Sequence, residues 1–395
     1  MKLEIAKDIY WTGYIDWDLR NFHGYSTPDG STYNAYLLVD EKPTLIDTVK
    51  HYGFEEMVRR IRQVMDPAKI RYIISNHTEM DHSGTIDRLL ELCPQAEVVC
   101  SPKGAEGLQR HFKKNWKFKV VTTGDTLNIG RRTLQFVLMP MVHWPDSMAT
   151  YSVADAILFP NDAFGQHIAS SERFADEIGL DVVMHAAAKY YANIVMPYGS
   201  QVNAVLDVVS KLAVKTICPS HGLMWRRAED ISRIATSYRA WASHQTEPRA
   251  VIIYDTMWHS TELIARTLYA GLEDAGIPVS LFSLQASHLS DAITEVMRSR
   301  VVLLGSPVLN NNVLPTMAGF LTYMKGLKPR NRFGLTFGSY GWATAGFKEL
   351  ENAVTESGMK LLGPGTYVQY IPSAEDLARV RGLVPLIQQA LTRKE

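Results

Sequence analysis

The stretch Asn76-His-Thr-Glu-Met-Asp-His82 constrains the fold of this chain more tightly than any other feature. Four side chains of metal-ligand type, His77, Glu79, Asp81 and His82, crowd into one short turn directly after the apolar run Ile70-Arg-Tyr-Ile-Ile-Ser75. That run reads as a buried strand, so the turn sits at a strand's C-terminal end, where a rigid sheet holds a functional loop. Three further candidates lie downstream: His143 in Met-Val-His-Trp-Pro-Asp, Asp162 in Pro-Asn-Asp-Ala-Phe-Gly, and His221 in Pro-Ser-His-Gly. Two of them also follow strand-like runs, Thr133-Leu-Gln-Phe-Val-Leu and Ala156-Ile-Leu-Phe. Seven such residues suffice for two metals, each with three terminal ligands and a shared carboxylate.

Two regions differ in rhythm. Up to about residue 248 short strands alternate with turns and occasional helices: Tyr33-Asn-Ala-Tyr-Leu-Leu-Val and Pro43-Thr-Leu-Ile-Asp read as paired strands, and Ile86, Leu89, Leu90 and Cys93 share one helical face. His244-Gln-Thr-Glu-Pro-Arg249 reads as a linker. From there strands and helices alternate strictly, with strands at Ala250-Val-Ile-Ile-Tyr, 279–284, Val301-Val-Leu-Leu and Arg332-Phe-Gly-Leu-Thr-Phe. Helices are predicted between them, near 262–275, 292–298, 314–325 and 348–357. Such alternation builds a parallel sheet covered on both faces. The expected domains are therefore 1–248 and 249–395, which fits a length of 395 residues.

In an open parallel sheet, ligands bind beyond the carboxyl ends of the strands. Three loops occupy such ends in the second region. Thr256, Met257, Trp258, His259, Ser260 and Thr261 form the first, rich in hydroxyls and free of Lys and Arg, so a phosphate there must rest on backbone N–H groups, hydroxyls and a helix N-terminus. Ser306, Pro307, Val308, Leu309, Asn310 and Asn311 form the second; Ser339, Tyr340, Gly341 and Trp342 form the third, with two aromatic rings to flank an isoalloxazine. No Gly-x-Gly-x-x-Gly opens the first helix, which disfavours a dinucleotide site. The arrangement resembles flavodoxin, with FMN as the ligand.

Composition narrows the partners. The 41 basic and 41 acidic side chains cancel, so neither nucleic acid nor an anionic membrane is expected. No apolar run reaches spanning length, Met1-Lys-Leu-Glu-Ile lacks a signal-peptide pattern, and a cytoplasmic location is expected. The three cysteines, Cys93, Cys100 and Cys218, form no Cys-x-x-Cys pair, which excludes a disulfide framework and a built-in rubredoxin or iron–sulfur module.

The His-x-Glu-x-Asp-His run resembles the His-x-His-x-Asp-His signature of the metallo-β-lactamase fold, with Glu79 in place of a second histidine. A carboxylate there adds a hard, charged ligand, and mixed carboxylate–imidazole sites suit iron. Together with the flavin loops, the whole chain resembles the flavodiiron proteins (A-type flavoproteins), similar to rubredoxin:oxygen oxidoreductases. Tyr33-Asn-Ala-Tyr36, His143-Trp-Pro-Asp-Ser147, Tyr190-Tyr-Ala-Asn-Ile194 and Thr256-Met-Trp-His-Ser-Thr-Glu262 carry the likeness further. Val308 and Ala343-Thr-Ala depart from the family pattern near the flavin.

The resemblance implies an α/β chain with an N-terminal metallo-β-lactamase-like αββα domain, followed by a flavodoxin-like doubly wound domain. It implies FMN and two non-haem iron ions per chain. His77, Glu79 and His143 would bind the iron nearer the flavin, Asp81, His82 and His221 the other, and Asp162 would bridge. Asp81 also suits a helix cap and Asp162 an Asx turn; His82 is the most dispensable ligand, since three other groups with solvent can hold that iron. His23 and Tyr25, in a Gly-containing loop, fall near the substrate pocket, and with Tyr191 they are candidates to donate hydrogen bonds to a bound ligand. Trp144 and Trp342 are expected to pack around the cofactors. The implied activity is reduction of dioxygen to water, nitric oxide to nitrous oxide, or both. Electrons would come from a separate rubredoxin or a reduced deazaflavin coenzyme, and the active unit would be a head-to-tail homodimer, possibly a dimer of dimers. Two other readings stand beside it: a binuclear hydrolase of the β-lactamase fold fused to a flavodoxin-like domain, and a non-catalytic electron carrier.

Overall fold

A computed structural model describes residues 2–393. The chain divides into two compact units. One runs to Tyr190 and resumes over Tyr198–Ala242; the other comprises Tyr191–Pro197 and the chain from Ser243 onward.

The first unit is a two-sheet sandwich. Its seven-stranded sheet runs in the order Glu4–Ala6, Ile9–Trp11, Tyr36–Leu38, Thr44–Ile46, Tyr72–Ile74, Glu97–Cys100 and Phe118–Val120. Pairing is antiparallel up to Thr44–Ile46 and parallel beyond it. The second sheet holds Thr126–Asn128, Thr133–Leu138, Met148–Ser152, Ile157–Phe159 and Thr216–Ile217. Alternate residues of both sheets meet in one core: Tyr36, Leu38, Ile46, Ile74 and Val99 from one, Leu134, Phe136, Met148, Ile157 and Phe159 from the other. The inward period of two is what orients these strands. The predicted strand at 33–39 is divided: Ser31–Tyr33 pairs with Tyr14–Asp16 in a separate ribbon, and Tyr36–Leu38 enters the large sheet.

The second unit is a parallel sheet in the order Val279–Ser283, Glu247–Tyr254, Ser299–Gly305, Phe333–Tyr340, with Lys360–Leu361 and Thr366–Gln369 sharing the far edge. In chain order this is the 2-1-3-4-5 arrangement of the flavodoxin-like sheet. Its central strands are buried on both faces; Val251, Ile252, Ile253, Val302, Leu303 and Leu304 are all fully buried, and so they read as continuous apolar runs. The first strand starts at Glu247, inside the expected linker. A register shift between Glu247 and Ala250 accommodates Pro248, which has no N–H to give the ladder. Two helices at the end of the chain, Ala374–Arg381 and Val384–Thr392, have no counterpart in the sequence reading. Among the described residues no helix is long and apolar enough to cross a membrane.

Candidate metal centre and flavin cavity

The metal-type residues arrive on loops at strand ends. Ile74 closes a buried parallel strand, and three residues later His77 turns into the site. Met80–Ser83 forms a single helical turn that puts Asp81 and His82 side by side. Asp81 lies within that turn and does not cap it, and both its carboxylate oxygens are buried without a hydrogen-bond partner. The turn at 161–162 is shaped by Asn161, which sits at φ +55° and accepts the Asp162 N–H at 2.9 Å. Asp162 is thereby left free to face inward.

The seven side chains converge, all buried. Asp162 divides them. Its Oδ2 lies 3.2 Å from His143 Nε2 and 3.7 Å from His77 Nε2, and Glu79 Oε2 lies 3.3 and 3.4 Å from those same two nitrogens. Its Oδ1 lies 3.0 Å from His82 Nε2 and 3.4 Å from His221 Nε2, while Asp81 stands 3.4 and 3.3 Å from them. Donors about 2.1 Å from one ion in tetrahedral arrangement stand roughly 3.4 Å apart, the spacing found in both groups. His77 Nε2, His82 Nε2 and Asp162 Oδ2 are buried without hydrogen-bond partners. Orphaned donors and acceptors at ligand spacing fit a pair of cations, one on each oxygen of Asp162. Three carboxylates supply the negative charge that two cations need.

Supporting groups aim the ligands. Asp146 Oδ2 takes His77 Nδ1 at 3.0 Å and the Thr78 N–H at 2.7 Å, so Nε2 of His77 faces the cluster. The Thr32 carbonyl does the same for His221 Nδ1 at 2.7 Å. Ser220 Oγ donates to Asp162 Oδ1 at 2.8 Å. Buried Asp47 ties two ligand loops together, accepting from the Asn76 N–H at 2.8 Å and from the amides of Asn76 and Asn161, each at 3.2 Å. Burial pushes the Asp47 carboxyl up, whereas at His82 and Asp162 attraction between opposite charges overrides desolvation. His82 is pushed up to about 9 by Asp81 and Asp162, and Asp162 is held well below the carboxylate range by the histidines around it.

His23 stands at the edge of this cluster. Asn21–Phe22 and Tyr25–Ser26 form a hairpin whose two turn residues, His23 and Gly24, sit at φ +51° and +85°. That is a type I′ turn, and it extends His23 so that Nε2 meets Glu79 Oε1 at 2.7 Å with the side chain about half exposed. Tyr25 is buried beside Phe22 and His167. Trp144 packs edge-on to His77 with ring centroids 5.0 Å apart. Tyr191 belongs to the segment grouped with the second unit; the ring contacts with His167 and His221, at 5.2 and 6.0 Å, are made by Tyr190. Asp47, Asp146, His167 and Tyr190 were not singled out in the sequence. Asp146 carried a signal, the Trp-Pro-Asp-Ser context directly after His143; Asp47 and His167 carried none.

The three predicted loops of the second unit enclose one cavity of about 640 Å³. Met257, Trp258, Ser260, Pro307, Val308, Leu309, Asn310, Asn311, Ser339, Tyr340, Gly341 and Trp342 line it, as read from the sequence, joined by Ala343, Tyr370 and Ile371. Tyr370 and Ile371 follow the fifth strand, which the sequence reading left out. Thr256, His259, Thr261 and Ser306 are not on the wall. Thr261 Oγ1 bonds Ser339 Oγ at 2.8 Å, Ser306 Oγ accepts from the Leu314 N–H at 3.1 Å, and His259 pairs with Glu262 at 2.8 Å. Asn310 and Asn311 form a two-residue turn, both at positive φ, between Val308–Leu309 and Asn312–Val313. This is a conformation Asn tolerates better than most residues.

No lysine or arginine lines the cavity. The helix Ser260–Asp274 starts at its mouth without a side-chain cap, which leaves its first N–H groups for an anion. Thr256, next in the chain to the lining residue Met257, keeps a buried Oγ1 without a partner. Trp258 and Trp342 are 82% and 91% exposed, an unusual state for indole rings that suits stacking on a planar ligand. These features fit a flavin mononucleotide.

Residues 32–222 match the ODP family beta lactamase and residues 252–381 the flavodoxin family. A nitric oxide reductase of Moorella thermoacetica is 46% identical over 381 residues, 95% of either chain. Among solved structures, the rubredoxin oxygen:oxidoreductase from the anaerobe Desulfovibrio gigas superposes with a TM-score of 0.97 at 39% identity, covering 99% of this chain and 98% of its own. The flavodiiron protein from Giardia intestinalis gives 0.93 at 32% identity, covering 99% and 97%. A metallo-β-lactamase-like unit followed by a flavodoxin unit, each with its expected site, defines the class: the chain belongs to the flavodiiron proteins, a family of oxidoreductases. The hydrolase reading falls with that assignment.

Proposed function

We propose that this chain reduces dioxygen to water, nitric oxide to nitrous oxide, or both, at two iron ions, with electrons passed through FMN from a separate donor. The observation that carries this reading is the division of six side chains between the two oxygens of Asp162. His77, Glu79 and His143 would hold one ion, Asp81, His82 and His221 the other, with Asp162 shared. Glu79 favours iron over zinc by supplying a carboxylate where zinc hydrolases carry imidazole. When bound, the ions supply two electrons and open positions for a diatomic ligand, and FMN supplies a store that takes two electrons and releases them singly.

The protein's own groups do the positioning. Asp146 and the Thr32 carbonyl fix which nitrogen of His77 and of His221 faces inward. Glu79, 2.7 Å from His23 Nε2, holds the His23 pKa above its ordinary value, which places the imidazole to give a proton to a reduced product. Tyr25 extends the buried aromatic wall beside it, and Trp144 covers His77 against water. In the flavodoxin unit the Thr256 hydroxyl and the start of the helix Ser260–Asp274 take the phosphate, and Trp258, Tyr340 and Trp342 take the ring.

The similar proteins include one named for nitric oxide and one named for rubredoxin and oxygen, which supports both gases and a rubredoxin donor. A reduced deazaflavin is the competing donor. The active unit is a head-to-tail homodimer in which one subunit's flavin serves the partner's irons. Anaerobic turnover of reduced protein with each gas, with iron and FMN measured on the same sample, tests the reading. Iron-free protein, or iron-loaded protein inert to both gases, ends it. A dilute monomer with full turnover rejects the dimer.

A further inference from the structure

A path of aromatic rings leads from the candidate metal centre to the protein surface. The strands Tyr14–Asp16 and Ser31–Tyr33 form a ribbon with Tyr14 opposite Tyr33 and Asp16 opposite Ser31. This ribbon supplies the Thr32 carbonyl that orients His221. It also sets the Tyr33 ring edge-on to His221, centroids 5.7 Å apart. Tyr33 is fully buried, whereas the next ring outward, Tyr52 at 6.2 Å, is 45% exposed. Both steps fall within the range in which aromatic rings touch.

The phenols share a proton acceptor. Tyr33 Oη lies 3.2 Å from Asp16 Oδ2 and 3.2 Å from Tyr52 Oη, and Tyr52 Oη donates to the same carboxylate oxygen. Asp16 is only 7% exposed. Two phenylalanines would fill this space without burying an acid, whose desolvation is costly. The cluster is built for chemistry that moves phenolic protons.

We propose that Tyr33 and Tyr52, with Asp16 as proton acceptor, form a redox relay that supplies electrons to the metal centre when dioxygen arrives and no reduced flavin stands behind it. The proposal rests on the flavodiiron reading above. Dioxygen takes four electrons and four protons to give two waters; a reduced iron pair holds two electrons, so two are missing. Each phenol gives one electron by breaking its O–H bond. The Tyr33 proton passes to the Asp16 carboxylate and its electron through the ring contact toward His221, leaving a neutral tyrosyl radical. Tyr52 restores Tyr33 by passing its hydrogen atom across the Oη–Oη contact, which moves the radical to the surface. A second electron from Tyr33 completes the reduction, and Asp16 releases its protons to solvent. Two molecules of a small thiol each return one hydrogen atom, restoring both phenols, and couple to one disulfide.

The test uses the holoenzyme reduced anaerobically with two electrons per chain, mixed with excess dioxygen, freeze-quenched and read by electron paramagnetic resonance. Ring-deuterated tyrosine narrows a tyrosyl signal and leaves a flavin semiquinone unchanged. The expected result is a deuterium-sensitive radical in the wild type, lost to background in Y33F and altered in line shape in Y52F. Iron content, FMN content and turnover with saturating donor should be unchanged in both variants. With limiting donor, both variants should lose activity in fewer turnovers than the wild type. Active, iron-loaded protein with no such radical, or with a radical of equal yield in Y33F, overturns the relay alone. Protein without iron or without turnover overturns the reading on which it rests.

Discussion

Around Asp162 the donors are buried and ionisable; around Trp342 the wall is neutral and the largest rings face solvent. The first region concentrates three carboxylates and four imidazoles where desolvation penalises every charge, and it is held by a shell of carboxylates, carbonyls and amides from other loops. The second relies on backbone at strand ends and an uncapped helix, with Thr261 bonded to Ser339 and Ser306 held by the Leu314 N–H. The lesson is that a metal site needs its ligands' charges compensated from several elements at once, whereas a phosphate-and-ring site can be built from local turn chemistry. Damage should therefore spread in the first region and stay local in the second.

The largest effect is expected from Asp162→Ala. Both groups of donors lose their shared oxygen, so both irons should be lost and turnover should fall by more than about 100-fold, beyond the cost of removing a supporting partner alone. Iron analysis beside steady-state rates checks this; retention of one tightly bound iron would show that the groups are independent. Asp146→Asn comes next. It leaves the fold and the seven candidate ligands in place but loosens the orientation of His77, and iron affinity should fall about 10- to 100-fold. Competition with a chelator measures it.

In the flavodoxin unit, Thr256→Val removes a hydroxyl that has no partner in the protein. FMN affinity should drop roughly 10-fold, the worth of one charge-assisted hydrogen bond, while the melting temperature of flavin-free protein stays unchanged. A lowered apo melting temperature would show that the hydroxyl is structural. The smallest effect concerns His244, which burial and the nearby Arg332 and Arg330 push down to about 4. A depressed histidine is neutral in the fold, so its contribution is present above about 6.5 and lost as pH falls through 4. His244→Gln should lessen acid destabilisation by about 1 kcal/mol, a figure reduced for its partial exposure. Urea midpoints at pH 4.5 and 7 would reveal it.

Much was legible where a residue's role is local. The strand Thr133–Leu138 was read to the residue, because its buried positions alternate against the opposing sheet. Three flavin loops followed from strand ends in a parallel sheet, and most of their residues line the cavity. Tyr370 and Ile371 were missed because the fifth strand is broken into Lys360–Leu361 and Thr366–Gln369, too short for a periodic signal. Asp47 and His167 were missed because nothing in their neighbourhood distinguishes them; their significance arises from loops 29 residues or more away in the chain, which bring Asn76 to Asp47 and Ser31 to His167.

The amino-acid order determined which side chains are available as ligands, the succession of a mixed sandwich by a parallel sheet, and the turns at Asn310–Asn311 and His23–Gly24. All of these depend on near neighbours, through periodicity, residue type or backbone preference. Tertiary structure alone decided that Asp162 turns one oxygen to each group, that Asp146 and Thr32 orient the imidazoles, and that Tyr33 links His221 to the exposed Tyr52. Those relations join residues tens to hundreds of positions apart, and only packing of the two sheets and their loops makes them neighbours.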